Sequence, residues 1–347
     1  MPGEAGEFFL CLLHSGSIPP RCANATPIVR CIYNDSWPAR VFPVLTFLPV
    51  FIRLPLALVL VVVNVCVHAA LLLMLAIVKA VVPVNGFRRM VSRVLVAIAE
   101  QWIAVNGVLF ALLARTRWVV EGVQGLNRNG WYLVLSNHQS WVDIPVLQKT
   151  FNRRIPFLKF FLKSQLKWVP VLGLAWWALD FPFMQRYSKE TLEKHPELRG
   201  KDKQATRKAC ERFRDLPVSV MNFVEGTRFT PEKHQRQESP FRNLLRPRAG
   251  GTAFVLDTMG QILQSVIDVT IFYPDGVPTL IDLLANRVRE IQIRVRELPV
   301  PTDLIGRDYE NDAQFRARFQ AWINALWMEK DALIADLRGA ASTATSQ

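Results

Sequence analysis

Cysteine is scarce in this 347-residue chain: there are five, three of them (Cys11, Cys22 and Cys31) within the first 31 residues. No two form a Cys-x-x-Cys pair, so neither a disulfide framework nor a zinc site is expected. No group of His, Cys and carboxylates has ligand spacing, which argues against any bound metal. A Gly-x-Ser-x-Gly elbow is also missing, and with it the usual nucleophile of an α/β serine hydrolase. Internal repeats are absent. Basic residues are lacking ahead of the short apolar patch Phe8–Leu13, where Glu4 and Glu7 stand instead; no secretory signal is expected there.

What the chain has in excess is positive charge and apolar bulk. Forty-two basic residues against 29 acidic ones leave a net charge of +13, and half of the residues are hydrophobic. A polyanionic partner suits that balance: nucleic acid, an anionic membrane face or a phosphorylated substrate. Ten Trp and 21 Phe favour the membrane, because aromatic rings settle at headgroup level.

Residues 1–43 read as an extension of uncertain order. Leu54 to Val78 is apolar except for Asn64 and His68, and is bracketed by Arg53 and Lys79. At 1.5 Å per residue it spans roughly 37 Å, enough to cross a bilayer with tilt. Residues 94–114 form a second apolar stretch, weakened by Glu100, Gln101 and Asn106; it suits a second span, a half-buried helix or an amphipathic surface helix. Basic residues flank both stretches, so the positive-inside bias puts the following domain in the cytoplasm. Residues 44–115 are thus expected to be a membrane helical segment, 116–338 a globular domain and 339–347 a flexible tail. In the globular part, candidate strands at 131–136, 181–185, 219–224, 265–273 and 291–297 alternate with helical patterns at 144–151, 203–214, 249–260 and 311–338. That alternation argues for an α/β sheet flanked by helices. Between 153 and 170 five basic residues and no acid are interleaved with Phe157, Phe160, Phe161 and Trp168. This reads as a basic, aromatic membrane interface; nucleic acid is not expected.

Two constellations carry chemistry. The run Trp131–Leu135 has the make-up of a buried strand and delivers Ser136-Asn137-His138, with Asp143 five residues beyond the His. Residues five apart on one helix point about 140° apart, so a strand, a turn and a helix start must bring the carboxylate back to the imidazole. A carboxylate on one ring nitrogen leaves the other free to take a proton. The plainer alternative is that Asp143 is a helix N-cap, with Pro145 in the first turn, and His138 a strand-end residue. A hydrolase triad using Ser140 or Ser136 is cramped, since Ser140 lies two residues from His138. The second constellation, Glu225-Gly226-Thr227-Arg228, follows the apolar run Ser219–Val224. Gly permits a close backbone approach, and Arg offers a planar fork for phosphate; a surface turn is the plain alternative. Ligands of α/β proteins collect at such strand ends.

Asn137-His138-x4-Asp143 followed by Glu225-Gly226-Thr227-Arg228 resembles the 1-acyl-sn-glycerol-3-phosphate acyltransferase family. The likeness runs from about residue 45 to 338. It is greatest to the branch holding the bacterial inner-membrane acyltransferase YihG and the lysocardiolipin acyltransferases, which use the form Phe223-Val224-Glu225-Gly226-Thr227-Arg228-Phe229-Thr230. The resemblance implies a glycerolipid acyltransferase fold, a mixed sheet flanked by helices, preceded by a transmembrane or membrane-embedded helical segment. It implies a catalytic base at His138 oriented by Asp143, and an acceptor phosphate held by Gly226, Thr227, Arg228, Lys163 and Arg186. Asn137, Glu225 and Pro247 match motif positions without an assigned role. Asp180 and Met184 stand where the family's second motif has Gly and Ile, and Leu245-Arg246-Pro247-Arg248 is a more basic form of its fourth.

The activity implied is transfer of an acyl group from acyl-CoA or acyl carrier protein to the sn-2 hydroxyl of 1-acylglycerol-3-phosphate. No cofactor is implied, and the bacterial inner membrane, with the catalytic domain on its cytoplasmic side, is the implied location. Another lysophospholipid such as lysophosphatidylglycerol is the alternative acceptor, and a non-catalytic anionic-lipid binder the more distant reading.

Overall fold

The computed structural model describes residues 43–184, 216–306, 309 and 311–345. The expected extension through residue 42, the helix expected at 203–214 and Arg186 lie outside the described residues.

Two long helices open this part of the chain. α1 (Val50–Val81) and α2 (Asn85–Leu113) pack as an antiparallel hairpin, both longer than the apolar stretches at 54–78 and 94–114. Small residues let them approach: Ala69, Leu72 and Ala76 of α1 meet Val91, Leu95 and Ala99 of α2. Three of the polar residues that interrupt the apolar runs, Asn64, His68 and Asn106, are paired inside the hairpin. Asn64 Nδ2 donates to Asn106 Oδ1 at 2.8 Å and to Trp102 O at 3.3 Å, and His68 Nδ1 lies 2.9 Å from Asn64 O, one helical turn back. The outward face of α1 is apolar and uncovered: Val59, Val62, Val63, Val67, Met74 and Ile77 are each more than half exposed. Both helices are long and apolar enough to cross a membrane.

The hairpin is bonded to the α/β domain at several points. Near the start of α1, Arg53 Nη2 donates to Ala285 O at 2.7 Å, and near its end Lys79 Nζ lies 2.5 Å from Asp180 Oδ2. At the middle of α2, Glu100 pairs with Arg128 at 2.5 Å, and Gln101 accepts from Arg153 at 2.8 Å. A helix tied at both ends to one domain runs along that domain.

The domain is built on a six-stranded mixed sheet with the order β1-β8-β7-β2-β6-β3. Its strands are β1 (Arg117–Glu121), β2 (Tyr132–Ser136), β3 (Leu158–Phe160), β6 (Ser219–Phe223), β7 (Ser265–Phe272) and β8 (Glu290–Leu298). β2 runs parallel to both β6 and β7, β3 parallel to β6, and β8 antiparallel to β7. A second, two-stranded sheet joins β4 (Leu162–Lys163) to β5 (Phe183–Met184). Every residue of β2 and β7 is buried, as expected for central strands covered on both faces. On one face Leu133, Leu135, Val220 and Val266 pack against α6 (Ala249–Met259) and α8 (Ala313–Thr345), with Phe319 and Trp327 of α8 fully buried. On the other, Tyr132, Val134, Met221 and Ile267 pack against α3 (Asp143–Phe151). Shorter helices are α4 (Leu172–Ala178), α5 (Pro231–Arg236) and α7 (Leu280–Leu284).

Three expectations change. The 153–170 segment is not a continuous interfacial face: Phe157 is buried against Phe181, Phe160 stacks on Phe223, Phe161 packs on the core, and only Trp168 stands out, at 78% exposed. The aromatics there satisfy the edge of the sheet. The tail expected from 339 is helical, with α8 continuing to Thr345. Alanine-rich sequence favours helix, and Ala341 packs on the core. Third, Asp180 occupies a left-handed conformation (φ 56°). Glycine is at ease there and Asp is one of the few side chains that tolerates it, so the departure from the family's Gly keeps the backbone and adds the Lys79 partner.

Candidate active site

β2 is flanked by β6 on one side and β7 on the other, so chain connections leave it in opposite directions. The carboxyl ends of the three strands meet at that switch point, where α/β sheets open a crevice. His138 follows β2, Glu225–Arg228 follows β6 and Tyr273 follows β7.

His138 Nδ1 lies 2.8 Å from Asp143 Oδ2. The carboxylate is fully buried and the imidazole 14% exposed. The same Oδ2 accepts the backbone N–H of Gln139 at 2.6 Å and of Ser140 at 2.8 Å, while Oδ1 accepts the Tyr273 hydroxyl at 2.6 Å. Asp143 is the first residue of α3 rather than its N-cap; it staples the turn behind it. Thus the structural and the chemical readings of Asp143 coincide: the carboxylate that closes the turn also holds the imidazole. Three donors besides the imidazole converge on this carboxylate, and an ionised carboxylate only accepts, which assigns the ring proton to Nδ1. That leaves the Nε2 lone pair, which has no partner among the described residues.

The rest of His138 is equally constrained. Its ring stacks on Phe223 with centroids 3.9 Å apart and planes 13° off parallel. Its N–H donates to Glu225 Oε1 at 3.0 Å, and its carbonyl accepts from Phe229 N at 2.8 Å. Glu225 is fully buried, and its Oε2 accepts from Leu245 N at 3.0 Å. Burial pushes its carboxyl up to about 8; the amides of Leu245 and His138 oppose that, Asp143 adds to it, and the charge of Lys330 opposes it. Glu225 therefore braces the loop by tying the β2 end to the segment before α6. Asn137 is also a brace. Its Nδ2 donates to Ile271 O and its Oδ1 accepts from Ile271 N, both at 2.9 Å, so the side chain continues the β2–β7 pairing after the main chain has turned away.

Gly226 has φ +69°, and a Cβ there would sit 3.2 Å from Arg248 Cδ. Glycine is needed for the turn, and it keeps open the path of Arg248 across the loop. The Arg228 guanidinium lies 4.4 Å above the ring of Trp141, so the loop after β6 reaches the loop that carries His138. Thr227 Oγ1 and Arg228 O both accept from Lys233 Nζ at 2.9 Å. Pro247 is buried, its carbonyl accepting from Gln320 at 3.2 Å; it supports the segment rather than lining the crevice. The backbone of Lys163 pairs with Met184. Arg186 lies outside the described residues.

The serine alternative is not supported. Ser140 Oγ donates to Pro278 O and accepts from Val142 N, and Ser136 Oγ donates to Asn137 O. Neither bonds His138, and both are buried. Sequence reasoning missed Tyr273, Lys233 and Arg248 as members of the site; the position of Tyr273 at the end of a strand parallel to β2 was its only signal. It also missed Lys330, fully buried on α8, whose Nζ reaches Val269 O at 2.6 Å and Asp268 Oδ1 at 2.7 Å.

A family model described as Acyltransferase matches residues 117–273. The chain is 27% identical to 1-acyl-sn-glycerol-3-phosphate acyltransferase 3 of Arabidopsis thaliana over 58% of its own length and 52% of that protein. It is 28% identical to lysocardiolipin acyltransferase 1 of Danio rerio over 67% of its length and 59% of that protein. It thus spans little more than half the length of these relatives. Among solved structures, the 1-acyl-sn-glycerophosphate (LPA) acyltransferase PlsC of Thermotoga maritima matches with a TM-score of 0.44 at 14% identity, over 79% of this chain and 95% of that one. The matched segment carries β1, β2, β6 and β7 with both motifs, and over it the chain is similar to acyltransferases of lysophospholipids.

Proposed function

We propose that the chain transfers a fatty acyl group from an acyl thioester to a free hydroxyl of a lysophospholipid. One observation carries this reading: an imidazole held through Nδ1 by a buried carboxylate at the carboxyl end of β2, its Nε2 without a partner among the described residues, beside the loop that carries Arg228. Nε2 takes the proton of the acceptor hydroxyl as its oxygen attacks the thioester carbonyl. The C–S bond then breaks, and the imidazolium returns that proton to the leaving thiolate. No acyl-enzyme forms. Asp143, itself held by Tyr273 and two amides, stabilises the transient imidazolium and fixes the ring. Arg228 and Arg248 supply the charge that would fix the acceptor's phosphate, with the backbone at Gly226 and Thr227 beside them. Lys163 and Arg186 join that phosphate site on the strength of their motif positions.

The acceptor we favour is 1-acylglycerol-3-phosphate, acylated at sn-2 to phosphatidic acid for phospholipid synthesis, with acyl-CoA or acyl carrier protein as donor. Lysophosphatidylglycerol is the alternative, on the likeness to lysocardiolipin acyltransferases and the branch around YihG. Residues 116–338 form the catalytic domain and 44–115 its membrane anchor, docked through the outward face of α1. We assign the protein to the cytoplasmic side of a bacterial inner membrane. Purified full-length protein in neutral detergent, given labelled acyl-CoA and each acceptor in turn, tests the assignment. Faster labelling of lysophosphatidic acid is the expected result; faster labelling of lysophosphatidylglycerol replaces the acceptor, and labelling of neither removes the activity.

A further inference from the structure

At the other end of β6 the molecule has a charged cavity, and none of its described lining residues belongs to the loops around His138. This pocket of about 570 Å³ opens where the α1–α2 turn meets the edge strand β3, and Lys79, Arg88, Arg89 and Lys159 line it together with Ser92 and Asp180. Its remaining wall includes residues 216–218, which lead into β6, whereas Glu225–Arg228 leave that strand. Five strand residues at 3.3 Å each separate the two regions by roughly 17 Å.

Among the described residues of its lining Asp180 is the one carboxylate, and it pairs with Lys79 at 2.5 Å. Arg88 spends one N–H on Lys79 O at 3.1 Å, and neither Arg88 nor Arg89 has a carboxylate partner among the described residues. Arg88 and Arg89 are the fourth and fifth residues of α2, a 29-residue helix with no side-chain cap and no acidic residue in its first turn. The amino end of a helix carries partial positive charge and unsatisfied N–H groups. Two guanidiniums there are destabilising unless an anion joins them. The volume is that of a small-ligand site. Beside it Val81, Val84 and Met90 are 74%, 58% and 53% exposed, so apolar chains attached to such an anion would have a surface to lie on.

We infer that this pocket binds a phosphate group, and that the group is the headgroup phosphate of an anionic phospholipid, bound as a fixed ligand and not as substrate. Basic pockets between membrane-facing helices recognise headgroups in this way, and paired Arg side chains suit the geometry of a phosphate. The site ties the hairpin turn to the edge of the sheet through the ligand. The inference is independent of the reaction proposed at His138.

The test uses full-length protein in neutral detergent, with dihexanoylphosphatidylglycerol, dihexanoylphosphatidylcholine and inorganic phosphate as titrants in calorimetry. Wild type is compared with Arg88→Gln/Arg89→Gln, with Ser92→Tyr, which fills the cavity, and with Arg228→Gln at the other site. Phosphatidylglycerol should bind wild type and Arg228→Gln, and both pocket variants should weaken it at least tenfold. Thermal melts supply a second readout. Without lipid, Arg88→Gln/Arg89→Gln should melt no lower than wild type, because it removes charge from the helix start; with phosphatidylglycerol only proteins with an intact pocket should gain stability. Equal, arginine-dependent binding of inorganic phosphate supports the site and overturns the lipid as its source. Binding that survives in both pocket variants, or that disappears in Arg228→Gln, overturns the site.

Discussion

His138 is held at four points: the ring by Asp143 and Phe223, the N–H by Glu225 and the carbonyl by Phe229. A base fixed in this way loses little freedom when the acceptor hydroxyl arrives. Tyr273→Phe removes the bond to Asp143 Oδ1 and leaves a buried carboxylate oxygen unsatisfied. A hydrogen bond to such a group is worth about 2 kcal/mol. The variant should be destabilised by about that amount and lose turnover several-fold with acceptor KM unchanged; chemical denaturation and initial rates check both. Glu225 supports a pH prediction. Its folded pKa of about 8 lies above the usual carboxyl value, so the folded state holds a proton that the unfolded state gives up. Stability from this group is therefore full below about pH 4.5 and declines as pH rises towards 8. In Glu225→Gln that decline should flatten, measured as melting temperature against pH; an unchanged slope would assign it to other groups.

At the scale of elements, β2 and β6 were legible because central strands must be apolar on both faces, and the polar residues that end them therefore stand out. The edge strands β1 and β3 were not: β1 alternates partly exposed residues between Arg117 and Glu121, and β3 has three residues. Lys330 lies in the run Trp327-Met328-Glu329-Lys330-Asp331, which reads as a solvated face. Its burial depends on Asp268, which is distant in sequence. The basic segment after α3 misled for the converse reason, since its phenylalanines face a sheet edge that the sequence does not reveal. α1 was read as apolar, and the structure adds which side is bare. Val63→Asp, on a residue 51% exposed and away from the hairpin contact, should leave the fold intact and reduce vesicle binding about tenfold or more, since it sets a charge into the face that meets the acyl region. Co-sedimentation with liposomes measures this; unchanged binding would remove α1 from the contact.

The whole molecule combines an α/β sheet whose strand ends assemble one imidazole–carboxylate pair with a hairpin tied to the same domain near both ends of α1. The pairing of the two motifs was readable in the chain, because each followed an apolar strand. Their convergence was not, because it depends on β2 lying between β6 and β7. On the proposed reading, a domain seated on the membrane with its base at the strand ends meets an amphiphilic acceptor without extracting it from the bilayer, and the +13 net charge favours an anionic surface. The central claim is that His138 Nε2 takes the acceptor's proton. Single-turnover transfer from labelled acyl-CoA to lysophosphatidic acid, in wild type and His138→Ala at equal liposome occupancy, tests it directly. The rate should be lower by about 10²–10⁴ in the variant with membrane binding unchanged; transfer at the wild-type rate would remove His138 from the role of base.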